Sequence, residues 1–154
     1  MATISSLNIS PGGVPKRPVA EAEVTANGLR GDDQYNKKHH GGPDRALCLF
    51  SAELVEALRA EGHPIAPGTV GENVTITGLD WGRVTPGTRL RLGGVEVEVT
   101  SYTVPCRTIR RSFVGERFSR ISQKSHPGWS RVYARVLAGG TVRVGDEVAV
   151  AERR

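Results

Sequence analysis

Cys106 sits in Tyr102-Thr103-Val104-Pro105-Cys106-Arg107-Thr108-Ile109-Arg110-Arg111, after a proline at the end of an apolar stretch. That placement suits a side chain exposed at the mouth of a barrel. Between Val104 and Arg120 five arginines accompany one glutamate. Positive charge beside a cysteine favours thiolate over thiol. A thiolate is a nucleophile, a persulfide carrier and a soft metal ligand. Cys48 differs: it lies in the apolar run Ala46-Leu47-Cys48-Leu49-Phe50 and reads as core filler.

A second chemical segment runs from Leu29 to Arg45. It holds four basic side chains, two histidines, three aspartates and three glycines. Glycines let backbone N–H groups approach an anion, and Arg and His supply charge-assisted hydrogen bonds to phosphate. The plain alternative is a polar loop whose aspartates cap turns. Adjacent His39-His40 also suggest a metal, but zinc sites want three or four ligands at characteristic spacings, and neither cysteine is near in sequence. His63 and His126 each precede proline and read as turn residues. Gly71-Glu72-Asn73 opens a strand, where Glu72 or Asn73 can offer a polar edge to a ligand.

These residues need elements to hold them. Ala2–Ile9, Val19–Thr25, Arg45–Phe50 and Val70–Thr77 read as strands, with Asn27–Asp44 a long loop. Arg89–Leu92 and Val95–Thr100 flank Gly93-Gly94 as a hairpin. Segments 131–137, 141–144 and 147–150 complete seven or eight strands. Ser51 is a suitable N-cap for the one clear helix, about 51–61, with Leu54, Val55 and Leu58 on one face. Residues 113–121 suggest a further short helix. Short segments and no long helical crossovers predict a mainly β fold, a closed or half-closed, antiparallel-rich barrel with a few extra helical turns.

Composition bounds the rest. The 154 residues suit one domain, 1–154, and 38% hydrophobic with 24% charged residues is ordinary for a globular chain. No apolar run is long enough to span a membrane, and no secretory leader is evident, so a cytoplasmic protein with reduced thiols is expected. A net charge of +5 favours anionic partners without choosing among them.

The ordered set Gly31-Asp32, His39-His40-Gly41-Gly42-Pro43-Asp44-Arg45-Ala46, Gly71-Glu72-Asn73 and Pro105-Cys106 resembles the MOSC domain, the C-terminal domain of molybdenum-cofactor sulfurases. Gly128-Trp129 to Gly145-Asp146 extends the likeness over roughly Ala20 to Val150. The resemblance implies a β-rich barrel that binds molybdenum cofactor, a phosphorylated pyranopterin dithiolene. It implies that Cys106 is the family's key cysteine, as molybdenum ligand or as handler of persulfide sulfur. Arg30, His39, His40 and Arg45 match the residues expected on the pterin phosphate. With Gly31, Gly41, Gly42, Asp44, Glu72, Asn73 and Arg107 they make up the expected cofactor-binding set. Asp32 and His40 join Cys106 as the expected catalytic group, relaying protons.

The leading expectation is therefore a small molybdenum-dependent reductase of N-hydroxylated compounds, served by a separate electron-donor protein. The resemblance lacks the cysteine-desulfurase domain of full sulfurases, so as a sulfur carrier using a Cys106 persulfide the chain needs an outside sulfur donor. A basic nucleic-acid-binding barrel ranks last, because eight aromatic residues in no strand pattern offer little base stacking.

Overall fold

Alternation of side chains along β7 (Thr88–Leu92) and β8 (Val95–Tyr102) builds the most regular part of the molecule. Leu90, Leu92, Val95, Val97 and Val99 point inward and are buried, while Arg91 and Glu96 point out. Arg89 lies opposite Glu98 across the hairpin, with Nε 3.9 Å from the carboxylate. The structure is a computed structural model, and the residues it describes are 1–32 and 42–153.

Among the described residues eleven strands form two sheets. The larger contains β1 (Ala2–Ile9), β2 (Arg17–Val19), β5 (Leu47–Ser51), β6 (Val74–Thr77), β7, β8, β9 (Val132–Ala138) and β11 (Glu147–Arg153). Its order is β11-β7-β8-β9-β5-β6-β1-β2, and β1 also pairs with β11 through Ala2↔Val148 and Thr3↔Glu147. That pairing closes a seven-stranded barrel, leaving β2 outside as an addition to β1. All its ladders are antiparallel except β5 with β6. The smaller sheet has β10 (Gly140–Arg143), β3 (Glu21–Thr25) and β4 (Gly28–Leu29) in that order.

β5 is buried along its whole length, because β9 and β6 flank it in the barrel. Helix α1 (Ala52–Ala60) follows it directly and supplies the expected helix. Ser51 Oγ accepts from the Leu54 amide at 3.2 Å, and Val55 and Leu58 turn to the core. The Glu53 carboxylate accepts from Thr77 Oγ1 and the Gly78 amide, tying the helix start to the end of β6. Among the described residues no helix is long and apolar enough to cross a membrane.

The barrel and helix agree with the sequence reading; the strand count and several boundaries do not. The expected strand Val19–Thr25 divides at Ala20, giving β2 on β1 and β3 on β10. The expected strand Val70–Thr77 starts only at Val74, since Gly71 takes φ +83° and the chain before β6 is buried coil. The segment beginning at Arg45 opens with a 3-10 turn, Pro43–Arg45, before β5. In place of a short helix over 113–121 there are 3-10 turns at Arg107–Ser112, Val114–Glu116 and Phe118–Ile121. Extended Phe113, driven into the core, and Gly115 at φ +65° break helical continuity.

Gly28, in β4, packs against the chain just before β5. Its φ is +111°, and a Cβ there would run into the Ala46 carbonyl oxygen. Gly28→Ala is expected to cost roughly 1–3 kcal/mol from backbone strain alone, read as a lowered melting temperature. An unchanged melting temperature would refute this account of the close approach.

Candidate functional site

Cys106 is delivered by the end of β8. The Thr103 amide donates to the Arg131 carbonyl at 2.9 Å, so the chain is still held to the start of β9 at that point. Pro105 keeps Val104 extended and the peptide out of the ladder. Cys106 is extended too, with φ −137° and ψ 172°, and is the N-cap of the 3-10 turn Arg107–Ser112. Its carbonyl accepts from the Ile109 amide at 3.2 Å. The thiol is partly exposed, whereas Cys48 is buried.

Near Cys106 is a group of side chains from β5, β9 and the residue that follows β8. Cys48 and Tyr133 are register partners on β5 and β9, and Cys48 Sγ is 3.7 Å from Thr103 Oγ1. Burial pushes the Cys48 thiol up, against the opposing charge of Arg131. Burial also raises the Tyr133 hydroxyl well above the usual phenol range, with Cys48 adding to the effect and Arg131 and Arg45 opposing it. The Arg45 guanidinium stands 5.3 Å from the Tyr133 ring centroid.

Beside this group is a buried ion pair. Lys16 Nζ is 2.7 Å from Asp32 Oδ2, with both side chains about 5% exposed or less. The other Asp32 oxygen accepts from the Ser10 amide at 2.9 Å, and Asn73 Nδ2 donates to Oδ2 at 2.9 Å. Asn73 in turn grips β5: its Oδ1 accepts from the Cys48 amide at 3.0 Å, and its own amide donates to the Cys48 carbonyl at 2.7 Å. Next to it Glu72 is fully buried, and burial pushes its carboxyl up to about 7.

A cavity of about 630 Å³ opens alongside. The Gly12–Pro15 loop, with Pro64 and Thr69, forms one wall, and Thr108–Ser112 of the turn after Cys106 forms the other. A Cβ built on Gly12 would meet nothing within 4 Å. Among the described residues no three His, Cys, Asp or Glu side chains gather as a metal cage.

The model of the MOSC domain matches residues 36–149. The chain belongs to the MOSC family. Uncharacterized protein YflK of Bacillus subtilis is 31% identical over 144 residues, which are 92% of this chain and 64% of YflK. A protein named "Reductase" from Gibberella moniliformis is 30% identical over 135 residues, 84% of this chain but 23% of that protein. The crystal structure of YiiM from Geobacillus stearothermophilus superposes with a TM-score of 0.75 at 25% identity, covering 99% of this chain and 76% of that one. The chain thus spans less than two thirds of YflK.

Against this MOSC frame, the residues expected from sequence divide into three groups. Cys106 and Arg107 begin the turn whose later residues, Thr108–Ser112, wall the cavity; they do not line it themselves, and Arg45 stands over the Tyr133 ring. Asp32, Glu72 and Asn73 lie in the interior, where protein donors engage both Asp32 oxygens and neither Glu72 nor Asn73 reaches solvent. Arg30 is exposed and pairs with Glu23 at 3.2 Å; Gly31 and Gly42 take positive φ; Asp44 faces Arg135 at 3.6 Å. His39, His40 and Gly41 lie outside the described residues.

The arginine excess around Cys106 is not one patch. Arg120 makes a two-pronged bond to Glu61 at 3.0 and 2.7 Å and stacks over Trp129 at 3.9 Å. Arg110 is drawn to the Arg107 carbonyl and to Glu116. Arg107 and Arg111 remain on the exposed surface of the turn. Sequence reasoning missed Lys16, Thr103, Arg131, Tyr133 and the Gly12–Pro15 loop. Nothing in Pro15-Lys16-Arg17-Pro18 shows which cation goes inside; only the glycine pair at 12–13 hinted at a close approach.

Two outcomes are expected. Iodoacetamide should label Cys106 in the native protein and Cys48 only after denaturation, as read by peptide mass; native labelling of Cys48 would contradict its burial. Lys16→Met or Asp32→Asn should each cost about 3–5 kcal/mol in urea unfolding, because one charge stays buried without its partner. The double variant Lys16→Met/Asp32→Leu should recover part of that loss, and strict additivity would show the pair uncoupled.

Proposed function

We propose that this MOSC protein binds molybdenum cofactor, with Cys106 as a protein ligand to molybdenum, and reduces N-hydroxylated compounds. The observation that carries the reading is the partly exposed Cys106 thiol at the head of an arginine-bearing turn that walls a cavity of about 630 Å³. That volume falls within the ~300–1,000 Å³ of small-molecule sites.

The residues present fit the group. A thiolate is the soft donor a sulfur-rich metal centre accepts, and Cys106 can add one donor to those the cofactor brings. Arg107 and Arg111 on the turn, with Arg45 and Arg30 beyond, are suited to an anionic phosphate. The open space above Gly12 leaves room for a ligand against the backbone. When bound, the cofactor supplies two-electron redox chemistry at molybdenum.

The chain's own residues hold and shape. The Thr103–Arg131 hydrogen bond and the extended Val104–Cys106 segment after it position Cys106. Asp32 and Asn73 act as a frame, since their polar atoms are already engaged by Lys16, Ser10 and Cys48. His39 and His40 stay in the proposed set as phosphate-binding and proton-handling groups. The two cysteines of this chain cannot supply the four thiolates of a common iron–sulfur cluster, so the reading takes electrons from outside these 154 residues. The name of the Gibberella relative, a reductase, is in line with this reading. Free thiols favour work in a reducing compartment such as the cytoplasm. The same exposed thiol suits a persulfide carrier, and one experiment separates the two.

Wild type and Cys106→Ser, produced in a host that makes the cofactor, should be assayed for molybdenum by mass spectrometry and for pterin by fluorescence after oxidation. Near-stoichiometric molybdenum and pterin in wild type, with molybdenum lost from the variant, is the expected result. Absence of both from wild type would overturn the proposal and direct attention to sulfane sulfur on Cys106.

A further inference from the structure

Glu72 and Arg131 are both buried and near enough to interact electrostatically, with Arg131 Nη1 held by Val70, two residues before Glu72, and each has one polar atom without a partner. Glu72 Oε2 accepts from Thr75 Oγ1 at 3.3 Å and the backbone N–H groups of Glu72 and Gly68 also approach the carboxyl, while Oε1 has no partner of good hydrogen-bond geometry among the described residues. Arg131 Nη1 donates to the Val70 carbonyl at 2.6 Å, while Nε has none. One orphan is an acceptor and the other a donor, on groups of opposite formal charge. Buried polar atoms left in this way are characteristically joined by an internal water.

Arg131 is also a main-chain clamp. Its carbonyl accepts from the Thr103 amide at 2.9 Å and from Ser130 Oγ at 2.6 Å. The same hydroxyl, with one hydrogen to give, also lies 3.3 Å from the Thr103 carbonyl as the weaker alternative acceptor, and Trp81 Nε1 donates to the Ser130 carbonyl at 2.8 Å. Thr103 is therefore held firmly through its N–H, with the Ser130 hydroxyl beside its C=O, three residues before Cys106.

We propose that one internal water joins Glu72 Oε1 to Arg131 Nε, and that through Arg131 Glu72 is a positioning residue for Thr103–Cys106. This rests on the reading of Cys106 as the working thiol. It differs from the expectation that Glu72 touches the cofactor, because Glu72 is fully buried and its influence passes through Arg131.

The couple responds to pH. Burial pushes Glu72 from its ordinary 4.5 up to about 7. The folded protein then keeps a proton that the unfolded chain releases above 4.5, so this group favours folding most on the acid side and progressively less as pH rises towards 7. Below the midpoint the carboxyl is neutral and Arg131 lacks a counter-charge from it; above it the pair is complete. The other ionisable groups nearby are Cys48, whose thiol Glu72 pushes up, and Lys16, which also acts on Cys48 and pairs with Asp32 beyond Asn73.

The test is an NMR pH titration of the wild-type protein as purified. The Glu72 carboxyl carbon should titrate near neutrality, and the Arg131 Nε–H and Cys106 amide signals should move with the same midpoint. Glu72→Gln should abolish both movements, and its Cys106 alkylation rate relative to wild type should change severalfold across neutrality. Glu72 titrating while Arg131 Nε and the Cys106 amide stay still would overturn the proposal, as would parallel alkylation profiles. If Glu72→Gln does not fold, the wild-type titration decides alone. No readout needs bound molybdenum, so failure here is distinct from failure of cofactor binding.

Discussion

An ammonium and a carboxylate can stay inside a protein only if each finds the other and their remaining hydrogen-bonding capacity is met. Lys16 and Asp32 satisfy that condition at 2.7 Å, with Ser10 and Asn73 completing the carboxylate. The consequence reaches well beyond the pair. Lys16 belongs to the arm after β1, Asp32 to the start of the long loop, and Asn73 to the approach to β6. Asn73 then holds both backbone groups of Cys48 on β5. Four segments distant in sequence are fixed to one another at the end of the barrel where the cavity opens.

The barrel makes that convergence possible. Its closure through β1 and β11 abolishes the long free edges of the large sheet and sets the neighbours of β5, β8 and β9. β9 lies between β8 and β5, so Tyr133 has Ser101 on one side and Cys48 on the other. Cys106 leaves β8 at the same end, and the stub of chain before it is held by Ser130 and Arg131. The partly exposed Cys106 thus follows a firmly held strand end, with only a short extended link between them.

Charge is divided by function within a few residues. Arg120 is bound to Glu61 and Trp129, and Arg131 is interior, so neither adds to an outer cationic rim. Arg107 and Arg111 face outward on the turn after Cys106. Counting arginines along the chain overstates the positive field at the thiol. It also misses Lys16, the cation that organises the site from within.

Local chemistry made the barrel class, the Ser51-capped helix, the Gly93-Gly94 hairpin and the contrast between Cys48 and Cys106 legible in the sequence. Period-two alternation, a capping hydroxyl and an apolar neighbourhood act over a few residues and leave a local trace. The order of Gly31-Asp32, Gly71-Glu72-Asn73 and Pro105-Cys106 likewise pointed to the MOSC family. Tertiary structure alone decided that Asp32 is paired rather than open, that Glu72 and Asn73 are interior, and that Lys16, Thr103, Arg131 and Tyr133 surround the site. Whether a charged side chain is a surface group or a buried support depends on partners brought from far along the chain, such as Lys16 for Asp32 and Arg131 for Glu72. Those meetings follow from strand order and barrel closure, which no short stretch of sequence encodes.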